Sequence, residues 1–212
     1  MSEVRLDPPL ELSLSLGEAM FTQRAMRRLK PDPIPESQLE ILLNAASKAP
    51  NGGNMQPARF LAVRDRARVE AFGELYREAW WAKRRDEGRP WTRREDIPAD
   101  SVFRMAALLA DEIRHAPVVV LAFGIYPGMG HSVLPAMQNL MLAARALGIG
   151  STLTTLHPQV MERVYALFGV PEKVEFHGCI PLGYPRGRFG PTPRLKSSET
   201  TYIDAWSQPP PW

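Results

Sequence analysis

Gln23-Arg24-Ala25-Met26-Arg27-Arg28 opens the stretch on which the reading of this chain turns, and Ala49-Pro50-Asn51-Gly52-Gly53-Asn54-Met55-Gln56-Pro57 closes it. Between these polar clusters Leu39, Leu42, Leu43 and Ala46 recur at i, i+3, i+4 and i+7, the spacing of one buried helix face. Pro35 suits the first helical turn, where its missing N–H is not needed. Pro50 and the Gly52-Gly53 pair forbid continuation. The expected product is a rigid helix with arginines at one side and an amide-rich loop at the other. Arginine forks match phosphate oxygens. Asn51, Asn54 and Gln56 each carry a donor and an acceptor, as a heterocycle edge requires. Two glycines admit a flat ligand close to the backbone. Together these residues describe a site for a phosphorylated heterocycle.

The rest of the chain sets bounds on that reading. At 212 residues it is long enough for one large core. A net charge of +3 is too small and too dispersed to argue for nucleic acid, and no aromatic-basic RNA motif is present. The single cysteine, Cys179, has no partner for an internal disulfide and fits a reducing cytoplasm. Its apolar surroundings make it a core residue. The first residues lack a basic start and an apolar signal core, and no apolar run approaches the roughly 20 residues of a membrane span. A soluble, cytoplasmic protein is expected.

Read in order, residues 1–13 form an N-terminal arm broken by Pro8-Pro9. Ser15-Leu16-Gly17-Glu18 matches a capping box, starting a helix toward Arg24. Arg59 to Val63 reads as a strand, and Asp65 caps a long helix carrying Val69, Phe72, Tyr76 and Ala79 on one face. Residues 89–99 form a surface excursion. Val102, Met105, Ala106, Leu109 and Ile113 define another helix. Pro117 to Phe123 is continuously apolar and reads as a central strand. Ser132 is the expected cap of a helix with Val133, Met137, Leu140, Met141, Ala144 and Leu147 on its apolar face. Ile149 to Thr154 reads as a short strand, Pro158 to Phe168 as a helix stopped by Gly169, and Val174 to Leu182 as the last strand. Residues 185–212 show no helical pattern and form a C-terminal arm. The class is α+β: one domain over residues 1–212, helices around a small, mostly antiparallel sheet.

The two quoted clusters, with Lys30-Pro31-Asp32-Pro33-Ile34-Pro35 after the first, resemble the two opening motifs of the FMN-dependent nitroreductase family, and the likeness runs from about Leu16 to Lys196. The resemblance implies bound FMN. Gln23, Arg24, Ala25 and Arg27 of the first motif then meet the cofactor, Arg24 and the late Arg194 holding its phosphate. Asn51, Asn54 and Gln56 meet the pyrimidine edge, and Arg27 lies where the negative charge of the reduced ring is stabilised. Ser151 to Thr155 resembles the loop whose backbone faces the reactive flavin nitrogen, so Leu153, Thr154 and Thr155 join the site. Ala25 and Asn51 stand where the family commonly has Ser, and Ala58 where it often has an aromatic residue.

The activity so implied is electron transfer from NADH or NADPH through FMN to nitroaromatics, quinones or other conjugated acceptors, in a homodimer that shares its flavin sites. Dehalogenation and oxygen-dependent flavin breakdown are the alternatives within the family, and a flavin store or sensor without turnover is the alternative outside catalysis. No GxGxxG follows a strand, so no Rossmann dinucleotide domain is expected. His115, His131, His157 and His177 show no metal-ligand spacing. Trp80, Trp81 and Trp91 fit either a substrate lid or ordinary packing.

Overall fold

The computed structural model describes residues 7–212, so residues 1–6 of the expected N-terminal arm lie outside the described part. Strand β2 (Val118–Gly124) is buried at every position. It pairs antiparallel with β1 (Ala58–Val63) on one side and β4 (Glu175–Gly183) on the other. The short β3 (Gly150–Ser151) adds to β4, giving a four-stranded antiparallel sheet in the order β1-β2-β4-β3. The expected α+β class is borne out.

Alternation along β2 explains why its sequence is an unbroken apolar run. Val118, Val120 and Ala122, with Ile180 and Leu182, join Leu42, Val133, Met137 and Leu140 of helices α2 (Glu36–Ser47) and α5 (Gly130–Ala146). Val119, Leu121 and Phe123, with Cys179, join Phe72, Tyr76, Leu109 and Val164 of α3 (Arg66–Asp86), α4 (Phe103–Glu112) and α6 (Met161–Phe168). Many antiparallel sheets leave one face wet; this one has helices on both, so neither face of β2 tolerates polarity. Each large side chain so buried contributes about 1.5–3 kcal/mol.

Local signals set the helix ends. Ser15 accepts the Glu18 N–H at 3.2 Å to start α1 (Leu16–Thr22), and Asp65 accepts the Arg68 N–H at 2.9 Å to start α3. Gly169 closes α6 at φ 65°, the left-handed C-cap that glycine adopts without steric cost. Within α3, a Cβ on Gly73 would stand 2.5 Å from the Arg114 Cβ, so the helix packs directly against the turn that leads into β2.

Several expectations are corrected. Helix α1 ends at Thr22, short of the arginines, because Gln23 turns extended. Pro35 is the N-cap of α2 and not a member of its first turn. Val102 precedes α4 and is 83% exposed, and Met105 is also exposed; the buried face runs through Ala107, Leu109 and Ala110. Helix α5 starts at Gly130 with Met129 as cap, so Ser132 lies inside it. β3 is only two residues long, pairing resuming at an isolated bridge between Thr154 and Cys179. The excursion of residues 89–99 is pinned by Ile97, 1% exposed, and by Trp91 packed on Phe103. Of the two readings open for Trp80 and Trp81, their burial in the core fits ordinary packing. The C-terminal arm contains one helical turn, α7 (Ser197–Thr200).

Candidate functional site

The first motif is an added edge of the sheet. Ala25 pairs in parallel with Ser151, and the Met26 N–H donates to the Ser151 carbonyl at 2.9 Å. On its other flank the Lys30 N–H donates to Tyr184 O at 2.7 Å, and the Arg186 N–H to Arg28 O at 2.9 Å. Backbone pairing thus fixes the arginines beside β3 and the chain after β4, where helix α1 does not reach. Their charge is unbalanced. Several arginines elsewhere find carboxylates: Arg77 meets Asp111 at 3.0 Å, Arg163 meets Glu78 at 2.6 Å, and Arg145 meets Glu18 at 3.0 Å. Among the described residues no carboxylate oxygen comes within 4.0 Å of Arg24, Arg27, Arg28, Arg186 or Arg188. Cations gathered without partners are the electrostatic form of an anion site.

Next to that edge lies the segment after β3, and α3 clamps it. The Tyr76 phenol is 2.8 Å from the Thr154 hydroxyl, Lys83 Nζ donates to Thr155 Oγ1 at 2.6 Å, and His157 Nε2 meets Asp86 at 2.8 Å. Burial, then the neighbouring Cys179, pushes the Tyr76 phenol well above its ordinary range, against smaller opposing effects that include the Arg27 guanidinium. The backbone of Thr154 needs a correction: its N–H donates to Cys179 O at 3.0 Å, and its carbonyl takes the Cys179 N–H at 2.8 Å. That N–H is engaged in the sheet. Leu153 and Thr155 are exposed on either side of it.

The second motif is a strained loop at the start of α5. Gly53, Asn54 and Gln56 hold φ of 59°, 54° and 48°, a left-handed conformation that non-glycine residues keep only where the surroundings enforce it. Two contacts do so. Asn51 Oδ1 accepts the Gln56 N–H at 2.8 Å, and the buried Ser132 hydroxyl accepts the Gly52 N–H at 3.2 Å. The Asn51 amide is thereby the internal clasp of the loop, its Nδ2 donating to Ala49 O at 3.4 Å. Asn54 and Gln56 are exposed. A cavity of ≈ 170 Å³ lies beneath, lined by Asn51, Gln56, Phe60 and Ser132 among others.

One chain does not bring the two motifs together. Gln23 places its amide nitrogen 3.8 Å from Met141 Sδ, and Thr22 Oγ1 accepts from Arg145 at 2.7 Å, both near the C-terminal end of α5. The amide loop hangs on Ser132 at the other end. At 1.5 Å per residue, Ser132 and Arg145 are about 20 Å apart along the helix. The C-terminal arm leaves by the arginine end, with Phe189 4.4 Å under the Arg145 guanidinium. Arg194 itself is exposed and donates to Pro193 O at 2.9 Å.

Residues outside the expected set also shape the site. Tyr76 reads from sequence as one more apolar position on α3, Lys83 as part of a charged helix end, and Ser132 as a cap. Arg186 reads from sequence only as part of the C-terminal arm. A hydroxyl ending an otherwise apolar face is the one signal that singles out Tyr76.

Comparison with known proteins places this geometry. The family model described as "Nitroreductase family" matches residues 21–184. The chain is 30% identical over 204 residues to "NADH dehydrogenase" of Thermus thermophilus, covering 86% of this chain and 92% of that one. It is 30% identical over 210 residues to "5,6-dimethylbenzimidazole synthase" of Rhodospirillum rubrum, covering 91% and 93%. Among solved structures, oxidised iodotyrosine deiodinase bound to FMN and 3-iodo-L-tyrosine superposes with a TM-score of 0.69 at 24% identity, covering 86% of this chain and 96% of that one. A match spanning both motifs and all four strands leaves one assignment: this chain belongs to the nitroreductase family.

Proposed function

We propose that the chain is an FMN-dependent oxidoreductase that takes electrons from NADH or NADPH and passes them to nitroaromatics, quinones or similar conjugated acceptors. The observation that carries this reading is the group of arginines, without a carboxylate partner among the described residues, held against Ser151 and the loop that follows it. Those residues fit the cofactor. Arg24 and Arg194 suit its phosphate, the exposed amides of Asn54 and Gln56 suit its pyrimidine edge, and Ala25, Leu153 and Thr155 leave room for a flat ring. Bound FMN supplies the hydride chemistry. The protein's part is to bind it, orient it and place a cation, Arg27, where negative charge develops on the ring. Gln23, turned toward Met141, acts by holding the end of α1. Family membership and the NADH dehydrogenase relative support the nicotinamide half of the reaction.

The working unit in this proposal is a homodimer. The motifs occupy opposite ends of α5, and a two-fold pair brings the amide loop of one copy to the arginine edge of the other. The surface is suited to such pairing. Leu16, Met20 and Phe21 of α1 are exposed, and beside them a cavity of ≈ 420 Å³ between α1, α2 and α5 is lined chiefly by apolar groups, Leu12 and Leu142 among them. Tyr202, Trp206 and Trp212 of the C-terminal arm are exposed as well, and a partner that covers them removes the cost of wetting those rings. Cytoplasmic residence is part of the proposal, in keeping with a free, buried Cys179; no helix among the described residues is long and apolar enough to cross a membrane.

The visible spectrum of the purified protein tests this reading. Oxidised-flavin bands are expected, to be bleached without oxygen by NADH or NADPH and restored by a quinone or nitroaromatic. A protein that stays yellow with both nicotinamides is a flavin store or sensor, and a colourless one that binds no added FMN overturns the proposal altogether.

A further inference from the structure

Arg27 and Arg186 come from opposite ends of the chain and meet at one cavity. Pairing of Leu29 with Pro185, and the 2.9 Å bond from the Arg186 N–H to Arg28 O, hold the two segments together, and both arginines line the cavity between them. The cavity is ≈ 170 Å³, closed on its apolar side by Leu29, Leu109, Ile113 and Ala116, with His115 and Glu112 completing the polar wall. Neither guanidinium has a carboxylate within 4.0 Å among the described residues. Two like charges facing a small, partly apolar space repel each other and lose hydration. An oxyanion relieves both costs, because guanidinium forks match its oxygens. One carboxylate, Glu112, against two arginines leaves the wall cationic, and His115 adds a donor. The cavity has room for a tetrahedral oxyanion.

We propose that this cavity is a second anion site, taking the phosphate monoester on the adenosine ribose of NADPH, so that the chain prefers NADPH to NADH. The inference rests on the oxidoreductase reading above and deepens it. The flavin phosphate goes to Arg24 and Arg194, at the open edge beside Ser151. Arg186 takes no part in the flavin reading and remains, with Arg27 beside it on the cavity wall, for a second phosphate; only NADPH of the two nicotinamide donors carries one outside its pyrophosphate.

Calorimetric titration of the full-length, FMN-loaded protein with 2′,5′-ADP and with 5′-ADP tests the site without turnover. The expected result is that 2′,5′-ADP binds at least about tenfold more tightly, the scale set by charge-assisted hydrogen bonds, and that inorganic phosphate competes with it. Arg186→Ala should bring the two affinities together while FMN content stays unchanged. Glu112→Gln leaves both arginines in place and should widen the difference. Equal affinities in the wild type overturn the proposal, as does binding of inorganic phosphate without discrimination between the nucleotides. A difference untouched by Arg186→Ala also overturns it, and FMN loss in that variant assigns the cavity to the flavin phosphate instead. A flavin that neither nicotinamide reduces sinks the oxidoreductase reading by a separate measurement.

Discussion

The phenolic oxygen of Tyr76 lies 2.8 Å from the hydroxyl of Thr154, so a buried position of α3 and the loop after β3 share one hydrogen bond. The thiol of Cys179, opposite Thr154 in the sheet, is fully buried as well. Burial raises the acid range of both groups, the phenol and the thiol alike. In the unfolded chain they ionise near their ordinary values, about 8.5 for the thiol and about 10 for the phenol. The folded state therefore holds more protons above those values. The stability they confer is complete below about pH 8.5 and declines as pH rises further. Thermal melts between about pH 8 and pH 11 should show Tm falling, with Cys179→Ala removing the earlier part of the fall and Tyr76→Phe the later part. A Tm that stays level across this range contradicts the burial argument.

Ser132 controls the second motif from inside α5. Ser132→Ala removes the acceptor of the Gly52 N–H, a loss of about 1 kcal/mol. Because the left-handed residues of the loop are held from this point, the expected outcome is weaker FMN retention on dialysis with unchanged helix content by circular dichroism. Full retention would show that the Asn51 clasp alone shapes the loop.

The arginine edge assigns different work to neighbouring residues. Arg24 stands in the proposed phosphate position, whereas the Arg28 carbonyl is tied to Arg186. Arg24→Ala should weaken FMN binding by about 1.5–3 kcal/mol, the worth of a hydrogen bond to a charged group, and Arg28→Ala by less. Fluorescence titration of the stripped protein with FMN measures both, and equal losses would shift the phosphate by one position in the motif.

Deleting the chain after Tyr184 should cost both the dimer and its FMN. The bond from the Lys30 N–H to Tyr184 O survives the truncation, but the Arg186–Arg28 bond, the Phe189 ring on Arg145, Arg194 and the exposed aromatics of the arm are lost. Light scattering and flavin absorbance report the two losses independently. A truncated protein that remains dimeric and yellow is incompatible with an arm packed across a partner.

Much of the framework was legible before any coordinates. The caps at Ser15 and Asp65 and the left-handed stop at Gly169 are contacts within one helical turn, so the residues that specify them sit side by side in sequence. The unbroken apolar run of β2 announced a strand covered on both faces, and the spacing of Leu39, Leu42 and Ala46 announced the buried side of α2. The two polar motifs could be read as a binding pattern because residue type alone carries the chemistry of a guanidinium or an amide.

What the tertiary structure decided was partnership. Ser132 looks like a helix cap until the fold sets Gly52 above it. The Thr154 N–H looks free until β4 brings the Cys179 carbonyl to it, and Arg186 looks like part of a solvated arm until Pro185 pairs with Leu29. Val102 and Met105 fit a helical face by spacing, yet the approach of α3 to α4 buries the neighbouring Ala107 and Ala110 instead. Periodicity and capping are set by interactions over a few residues. Which distant hydrogen-bond donor meets which acceptor, and which arginines are left without a carboxylate, depends on the strand order β1-β2-β4-β3, which no local stretch of the chain encodes.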